Sequence, residues 1–197
     1  MAHDKKTVHN PSFAKHNFRS GFTLIELIVV IGITTLLSSA LISFNHTSRQ
    51  QIVLYAEEVK LAQTIFRAKS LAMSLYLQSA GSGICGYGVH VDYTAKNYSI
   101  FSYNKPAGSN CQNISAINTG SENIISTFKI GNGVILLSSP SAKTRLDDVL
   151  FIPPDPITLL NSGGAPALNG QASIVLQTLD GSLSAPININ SAGLIDF

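Results

Sequence analysis

Three patterns of apolar and polar positions follow one another along the chain. Residues 27–48, LIVVIGITTLLSSALISFNHTS, form a run of 22 residues without a formal charge. At about 1.5 Å per residue a helix of that length spans roughly 33 Å, enough to cross a bilayer. Leu54, Leu61, Ile65, Ala68, Ala72 and Leu75 then recur at spacings of 7, 4, 3, 4 and 3, with Glu57, Glu58, Lys60, Arg67 and Lys69 interspersed. That is the pattern of an amphipathic helix. No proline lies between Pro11 and Pro106 and no glycine between Gly32 and Gly81, so nothing local breaks the chain's helical course. One continuous helix is expected from Phe22 to about Leu77.

After Gly81-Ser82-Gly83 the period falls to two. Tyr87, Val89, Val91 and Tyr93 alternate with Gly88, His90 and Asp92. Thr94-Ala95-Lys96-Asn97 makes a turn, and Tyr98-Ser99-Ile100-Phe101 returns as the second arm of a hairpin. Apolar runs at 124–130, 134–137, 149–152, 173–179 and 187–189 predict further strands. Asp180-Gly181 and Asn190-Ser191-Ala192-Gly193 have turn chemistry, the latter leading to a last strand at 194–197. Pro186 has no N–H for a ladder and belongs at an edge or bulge. Segments 104–122 and 161–170 read as loops. The expected class is α+β: a long N-terminal helix, half membrane-spanning and half amphipathic, packed on an antiparallel β-rich globular domain.

Composition sharpens this reading. With 197 residues, 45% hydrophobic and 12% charged, the chain suits one globular domain plus an apolar segment, and its apolar content excludes disorder over most of its length. The net charge of +2 is unevenly spread. Lys5, Lys6, Lys15 and Arg19 face only Asp4 in the first 21 residues, which leaves 9 basic and 10 acidic groups for the rest. A basic head before an apolar run places the N-terminus in the cytoplasm and the body outside, by the positive-inside rule. The expected divisions are a leader at 1–21, a membrane helix at 22–48, an amphipathic helix at 49–80 and an exported β-rich domain at 81–197.

Glu26 complicates the membrane segment. A carboxylate at membrane depth is disfavoured by about 2 to 3 kcal/mol or more unless it finds a partner. An ordinary signal peptide, with Ser38-Ser39-Ala40 as a loose cleavage site, does not explain it. A plain signal anchor accounts for the length but for neither Gly21 nor Glu26. Gly21-Phe22-Thr23-Leu24-Ile25-Glu26 resembles the cleavage and N-methylation motif of type IV prepilins and pseudopilins, where a basic leader ends in Gly and Glu is the fifth residue of the mature chain.

The resemblance implies that a prepilin peptidase cuts after Gly21, where the backbone is unshielded by a side chain, and methylates the new amine of Phe22. It also implies that Glu26 of one subunit meets the Phe22 amine of the next, a pairing that offsets the desolvation cost of both charges. The resulting filament is built from pilin-like subunits in the cytoplasmic membrane. More weakly, Arg67-Ala68-Lys69-Ser70-Leu71-Ala72, Gly86-Tyr87-Gly88-Val89, Phe151-Ile152-Pro153-Pro154 and residues 187–195, ININ-SAGLI, resemble the H-type minor pseudopilins of type II secretion. On this resemblance the chain is a structural subunit of a type II secretion filament or a type IV pilus, and not an enzyme. The competing reading from another class is a membrane-anchored extracytoplasmic binding module or enzyme using the loops at 104–122 and 161–170.

Other candidate chemistry is thin. Gly81-x-Gly83-x-x-Gly86 fits a dinucleotide fingerprint but stands after a helix and before a strand, the reverse of the required order, so no cofactor is expected. His46 and His90 lie beyond the leader without a serine elbow or paired carboxylates. Asp147, Asp148 and Asp155 read as solvated loop charges rather than a calcium site, and no metal is expected. The exported part has no basic cluster denser than Lys143-Thr144-Arg145, so direct nucleic-acid binding is not expected. Cys85 and Cys111 are too few for a four-ligand zinc site. In an exported domain a single disulfide is their natural state.

Overall fold

The computed structural model describes residues 21–77, 83–106, 108, 110–118, 120–138, 144–154 and 157–197. The leader at 1–20, the helix-to-strand boundary near 80, Gly81-Ser82, Lys143 and Asp155 lie outside the described residues. The chain divides into two units, one ending at Phe44 and the other Asn45–Phe197. A single helix, α1, runs Leu24–Leu77 through both.

The second unit is α+β, with antiparallel strands in two sheets. The first sheet has the order β3-β2-β1-β5-β6-β7 and the second β10-β9-β8-β4. The strands are β1 Ile84–Asp92, β2 Asn97–Asn104, β3 Glu122–Lys129, β4 Val134–Leu136, β5 Asp148–Ile152, β6 Ile157–Ser162, β7 Ala165–Pro166, β8 Gln171–Thr178, β9 Ser184–Asn190 and β10 Ile195–Asp196. Leu54, Leu61, Ile65, Ala68 and Ala72 of α1 are buried in one core with Val89, Ile100, Val149 and Phe151 of the first sheet and Ile174, Leu176, Ile187 and Ile189 of the second. The helical stripe read from sequence is therefore the seam on which both sheets close. Leu75 is only partly buried.

The stripe also contains a charged residue. Glu58, one of the interspersed charges, lies four residues after Leu54 and three before Leu61 and is only 8% exposed, and burial raises its pKa. Its spacing places it on the apolar face itself, so the helical period alone accounts for its burial.

A second cluster lies on the opposite face of the first sheet. Cys85, Phe101, Tyr103, Ile117, Leu150 and Ile152 pack there, under the segment that joins β2 to β3. This explains why β5 is buried at every position: Val149 and Phe151 serve one core, Leu150 and Ile152 the other. Gly88 is required in this arrangement, because a Cβ there would collide with the Val149 carbonyl and the Phe101 ring.

The loop expected at 161–170 is corrected by the structure. Strands β6 and β7 pair antiparallel through Asn161↔Pro166 and Ser162↔Ala165, around Gly163 and Gly164 at φ of 60° and 82°. The physical reason is tertiary: β6 pairs with β5 along its length, and the Gly163 N–H donates to the Asp147 carboxylate, which also holds Arg145 at 2.7 Å. Pro186 sits in β9, flanked on both sides by strands, yet β10 reaches only Asn188 and Ile189. Asn190 directs its N–H toward the β10 side, and by alternation Pro186 turns its missing donor to the part of that edge β10 leaves uncovered.

The Asp180-Gly181 turn joins β8 to β9, with Gly181 at φ 72°. Asp180 accepts from Thr178 Oγ1 at 2.6 Å, Ser182 Oγ at 2.8 Å, Ser182 N at 3.1 Å and Gln50 Nε2 of α1 at 3.1 Å. The Thr178 and Ser182 donors hold its carboxyl well below the usual range. A depressed folded pKa contributes stability that is present above the unfolded value, near 4, and is lost as pH falls toward the folded value. Asp180→Asn is therefore expected to lower the melting temperature at pH 7, with the difference from wild type shrinking below about pH 4. Thermal melts across a pH series check this; a difference that stays constant in acid would show that the charge is not what the turn uses.

Candidate functional site

The start of α1 is built from its own sequence. Gly21, Phe22 and Thr23 precede the helix, and Thr23 caps it: its Oγ1 accepts from Glu26 N at 3.3 Å, while its carbonyl accepts from Leu27 N at 3.2 Å. Thr23-x-x-Glu26 has capping-box spacing, and Glu26 lies in the first turn, where the helix dipole favours a negative charge. Gly21 has open space around it and Phe22 is 79% exposed. The bond between Gly21 and Phe22 thus lies in non-helical, uncovered chain one residue before the cap.

From the cap to Ile42 the helix is uncovered. Residues 21–42 are all exposed, and Leu24–Ile42 is long and apolar enough to cross a membrane. Its four hydroxyl residues do not spoil that property. Thr34, Thr35, Ser38 and Ser39 donate to the carbonyls of Ile31, Gly32, Thr34 and Leu36 at 2.7 to 3.0 Å. Each donor is satisfied within the helix, as a lipid-facing helix requires. This apolar N-terminal helix fits a single-pass membrane anchor.

The remaining candidates are dispersed. Cys85 and Cys111 are joined in a disulfide with Cα atoms 5.2 Å apart. His90 Nδ1 stands 2.6 Å from Asp148 Oδ1, and that hydrogen bond lifts the imidazole above its ordinary pKa. Asp147 is committed to Arg145 and Gly163, so the two adjacent aspartates serve different partners. Among the described residues no group of three or more His, Cys, Asp or Glu side chains is arranged to hold a metal ion. Gly83 and Gly86 flank the start of β1, not the N-terminus of a helix. Arg145, of the basic triplet, lies over the Tyr93 ring at 4.9 Å.

Two features escaped the sequence reading. Thr23 as cap was legible in its spacing from Glu26. The other is a polar groove of about 400 Å³ at one end of the second sheet, lined by Asn169, Gln171, Ser173, Asn188, Asn190 and Asp196 among others. Its only sequence signal is the alternation of polar residues in β8 and β9.

Residues 16–42 match the family described as the prokaryotic N-terminal methylation motif, the type IV pilin-like signal. That match spans the Gly21–Phe22 bond, Glu26 and the exposed apolar helix. No curated protein and no solved structure matches the chain.

Proposed function

We propose that this chain is a structural subunit of a pilin-like filament, cut after Gly21 by a prepilin peptidase, methylated at Phe22, anchored by its first helical stretch, and assembled through Glu26. The observation that carries this reading is the methylation motif placed on a capped, fully exposed apolar helix start. The motif supplies the peptidase's recognition pattern, and the uncovered peptide before Thr23 supplies access. The uncovered helix beyond it supplies the surface that a membrane first covers and neighbouring subunits cover afterwards. The Asn45–Phe197 unit is exported, and the disulfide belongs to an oxidising compartment.

Within this class we place the chain as a minor subunit, of the H-type minor pseudopilins of type II secretion or the related minor pilins, and not as an enzyme. Short motifs in the strand half support that placement, and the near-neutral exported sequence supports a role without direct contact to nucleic acid. Neighbouring genes for a prepilin peptidase, an assembly ATPase and other pilin-like chains would distinguish a secretion machine from a pilus.

Processing is tested directly. Mass spectrometry of the protein extracted from membranes containing the peptidase is expected to show a mature chain beginning at Phe22 and carrying one methyl group on its amine. An N-terminus at Leu41, as a signal peptidase would leave, or an intact leader would overturn the reading.

A further inference from the structure

The part of α1 that packs against the two sheets leaves its opposite face open. Ile52, Val59, Phe66 and Met73 recur at intervals of seven, and Ala56, Gln63, Ser70 and Leu77 follow them by four. The eight positions therefore alternate by four and three residues, the spacing of a helix-to-helix seam. Seven of them are exposed and Val59 is half-buried. None carries a charge, and none belongs to the core, whose helical residues lie on the other side. The apolar span ends earlier, at Ile42, so the length and composition that suit a bilayer do not extend to this face.

The charges of this stretch are unevenly placed. At 3.6 residues per turn, Arg49, Lys60 and Arg67 fall on one flank of the seam, within about 20° of one another around the helix, and all three are exposed. Both acids turn away from it. Glu58 is buried on the core face, and the Glu57 carboxylate, with its side chain only 13% exposed, lies 3.5 Å from Lys60. The fourth cation, Lys69, donates to the Gly193 carbonyl at 2.8 Å. The open face is thus an uncharged seam with a basic row along one side.

We propose that this face docks one α-helix of a different chain, whose apolar seam fits between Ile52, Val59, Phe66 and Met73 and whose flank carries carboxylates opposite Arg49, Lys60 and Arg67. The spacing selects a helix. Large side chains every seven residues, with Ala56, Gln63 and Ser70 between them, form the knobs and holes that a second helix fills. The basic row selects the charge of that helix and excludes a second copy of this chain. In a parallel pair the row would face Tyr55, Ala62, Lys69 and Tyr76 of the other copy, and in an antiparallel pair it would face the same three cations. Neither arrangement brings a carboxylate to it. A lipid surface buries an apolar face without regard to a seven-residue repeat, so it gives no reason for the seam. This inference goes beyond the filament role and depends on neither cleavage at Gly21 nor pairing at Glu26.

The test uses the full chain in nanodiscs of a neutral phospholipid. The probes are two fluorescent helical peptides as long as the seam, with the same heptad repeat of Leu and Ala, one bearing Glu on its flanks and the other Lys. Fluorescence anisotropy is expected to show the Glu-flanked peptide bound at least tenfold more tightly than the Lys-flanked one, with neither retained by empty nanodiscs. The double variant Phe66→Ser, Met73→Ser should weaken that binding at least tenfold, and Arg49→Glu, Arg67→Glu should reverse the preference between the peptides. All four positions are exposed, so both variants are expected to melt close to wild type. No binding, equal binding of the two peptides, or unchanged binding in both variants overturns the proposal. Self-association of the full chain that Phe66→Ser abolishes would overturn it in favour of a second copy. Shielding of Phe66→Cys from aqueous maleimide in anionic nanodiscs, with no peptide present, would overturn it in favour of lipid.

Discussion

Glu26→Ala is expected to remain in the membrane and to disappear from filaments, its filament-to-membrane ratio falling at least tenfold. Removing a charge makes Leu24–Ile42 more apolar, so insertion is not impaired, and Glu26 lies outside the unit that holds the folded sheets. Assembly is different under the proposed role. When the apolar face of a neighbour replaces the membrane interface, a carboxylate or an ammonium left alone is strongly unfavourable, and breaking a buried pair typically costs about 3 to 5 kcal/mol. Even a fraction of that exceeds the roughly 1.4 kcal/mol corresponding to tenfold.

The structure adds a local role for Glu26 that has to be separated from the assembly role. Its backbone N–H is bound by Thr23 Oγ1, and a side chain at this capping-box position supports the helix end in either its Glu or its Gln form. Glu26→Gln is therefore the decisive variant. If capping is what the residue contributes, glutamine restores incorporation. If its charge pairs with the Phe22 amine of a neighbour, glutamine fails as alanine does. The measurement is the amount of each variant in sheared or cross-linked filaments relative to the membrane total; both variants at wild-type levels would remove Glu26 from the assembly mechanism.

How much of this was legible beforehand depended on whether local chemistry or tertiary contact decided each element. The amphipathic stripe was legible because one face of α1 meets the core, so burial follows the helical period from Leu54 to Ala72. The first hairpin was legible for a similar reason, and its turn is fixed locally: Asp92 Oδ1 accepts from Thr94 N at 2.9 Å and Ala95 N at 2.8 Å. The turn at 190–193 likewise uses Asn190 Oδ1 and a positive φ at Gly193. By contrast, the end of β6 and all of β7 were read as loop because Asn-Ser-Gly-Gly-Ala-Pro carries turn chemistry at nearly every position. Its pairing is decided by β5 and by Asp147, many residues away. The buried state of Glu58 was legible in its spacing, four residues after Leu54 and three before Leu61, and was passed over because a carboxylate is usually solvated. The polar groove was hidden because it exists only through the register of β8, β9 and β10; alternation in one strand looks the same whether the face is flat or concave.

The second large effect is expected from the cysteines. The double variant Cys85→Ala, Cys111→Ala should lose about 3 kcal/mol of stability, because the bridge closes a loop of 26 residues and removes that much conformational freedom from the unfolded chain. For a chain of this size the melting temperature should fall by roughly 10 °C. The segment between β2 and β3 has other attachments: Gln112 Nε2 donates to the Pro153 carbonyl at 3.0 Å, Asn118 N donates to Tyr103 Oη at 3.1 Å, and Asn104 N donates to the Ser121 carbonyl at 2.8 Å. Each such bond is worth about 1 kcal/mol net, and burying Ile117 contributes about 1.5 to 3 kcal/mol. These contacts together rival the bridge, so the variant should still fold, with the loss concentrated where they are. Hydrogen exchange should therefore quicken most at Asn118 and Asn104 while the amides of β8 and β9, beneath the other sheet, keep most of their protection. A variant that melts within a degree or two of wild type would mean that the packing of Ile117 and Tyr103 holds the segment without the bridge. A uniform rise in exchange across both sheets would instead mean that this face of the first sheet opens only with the whole unit.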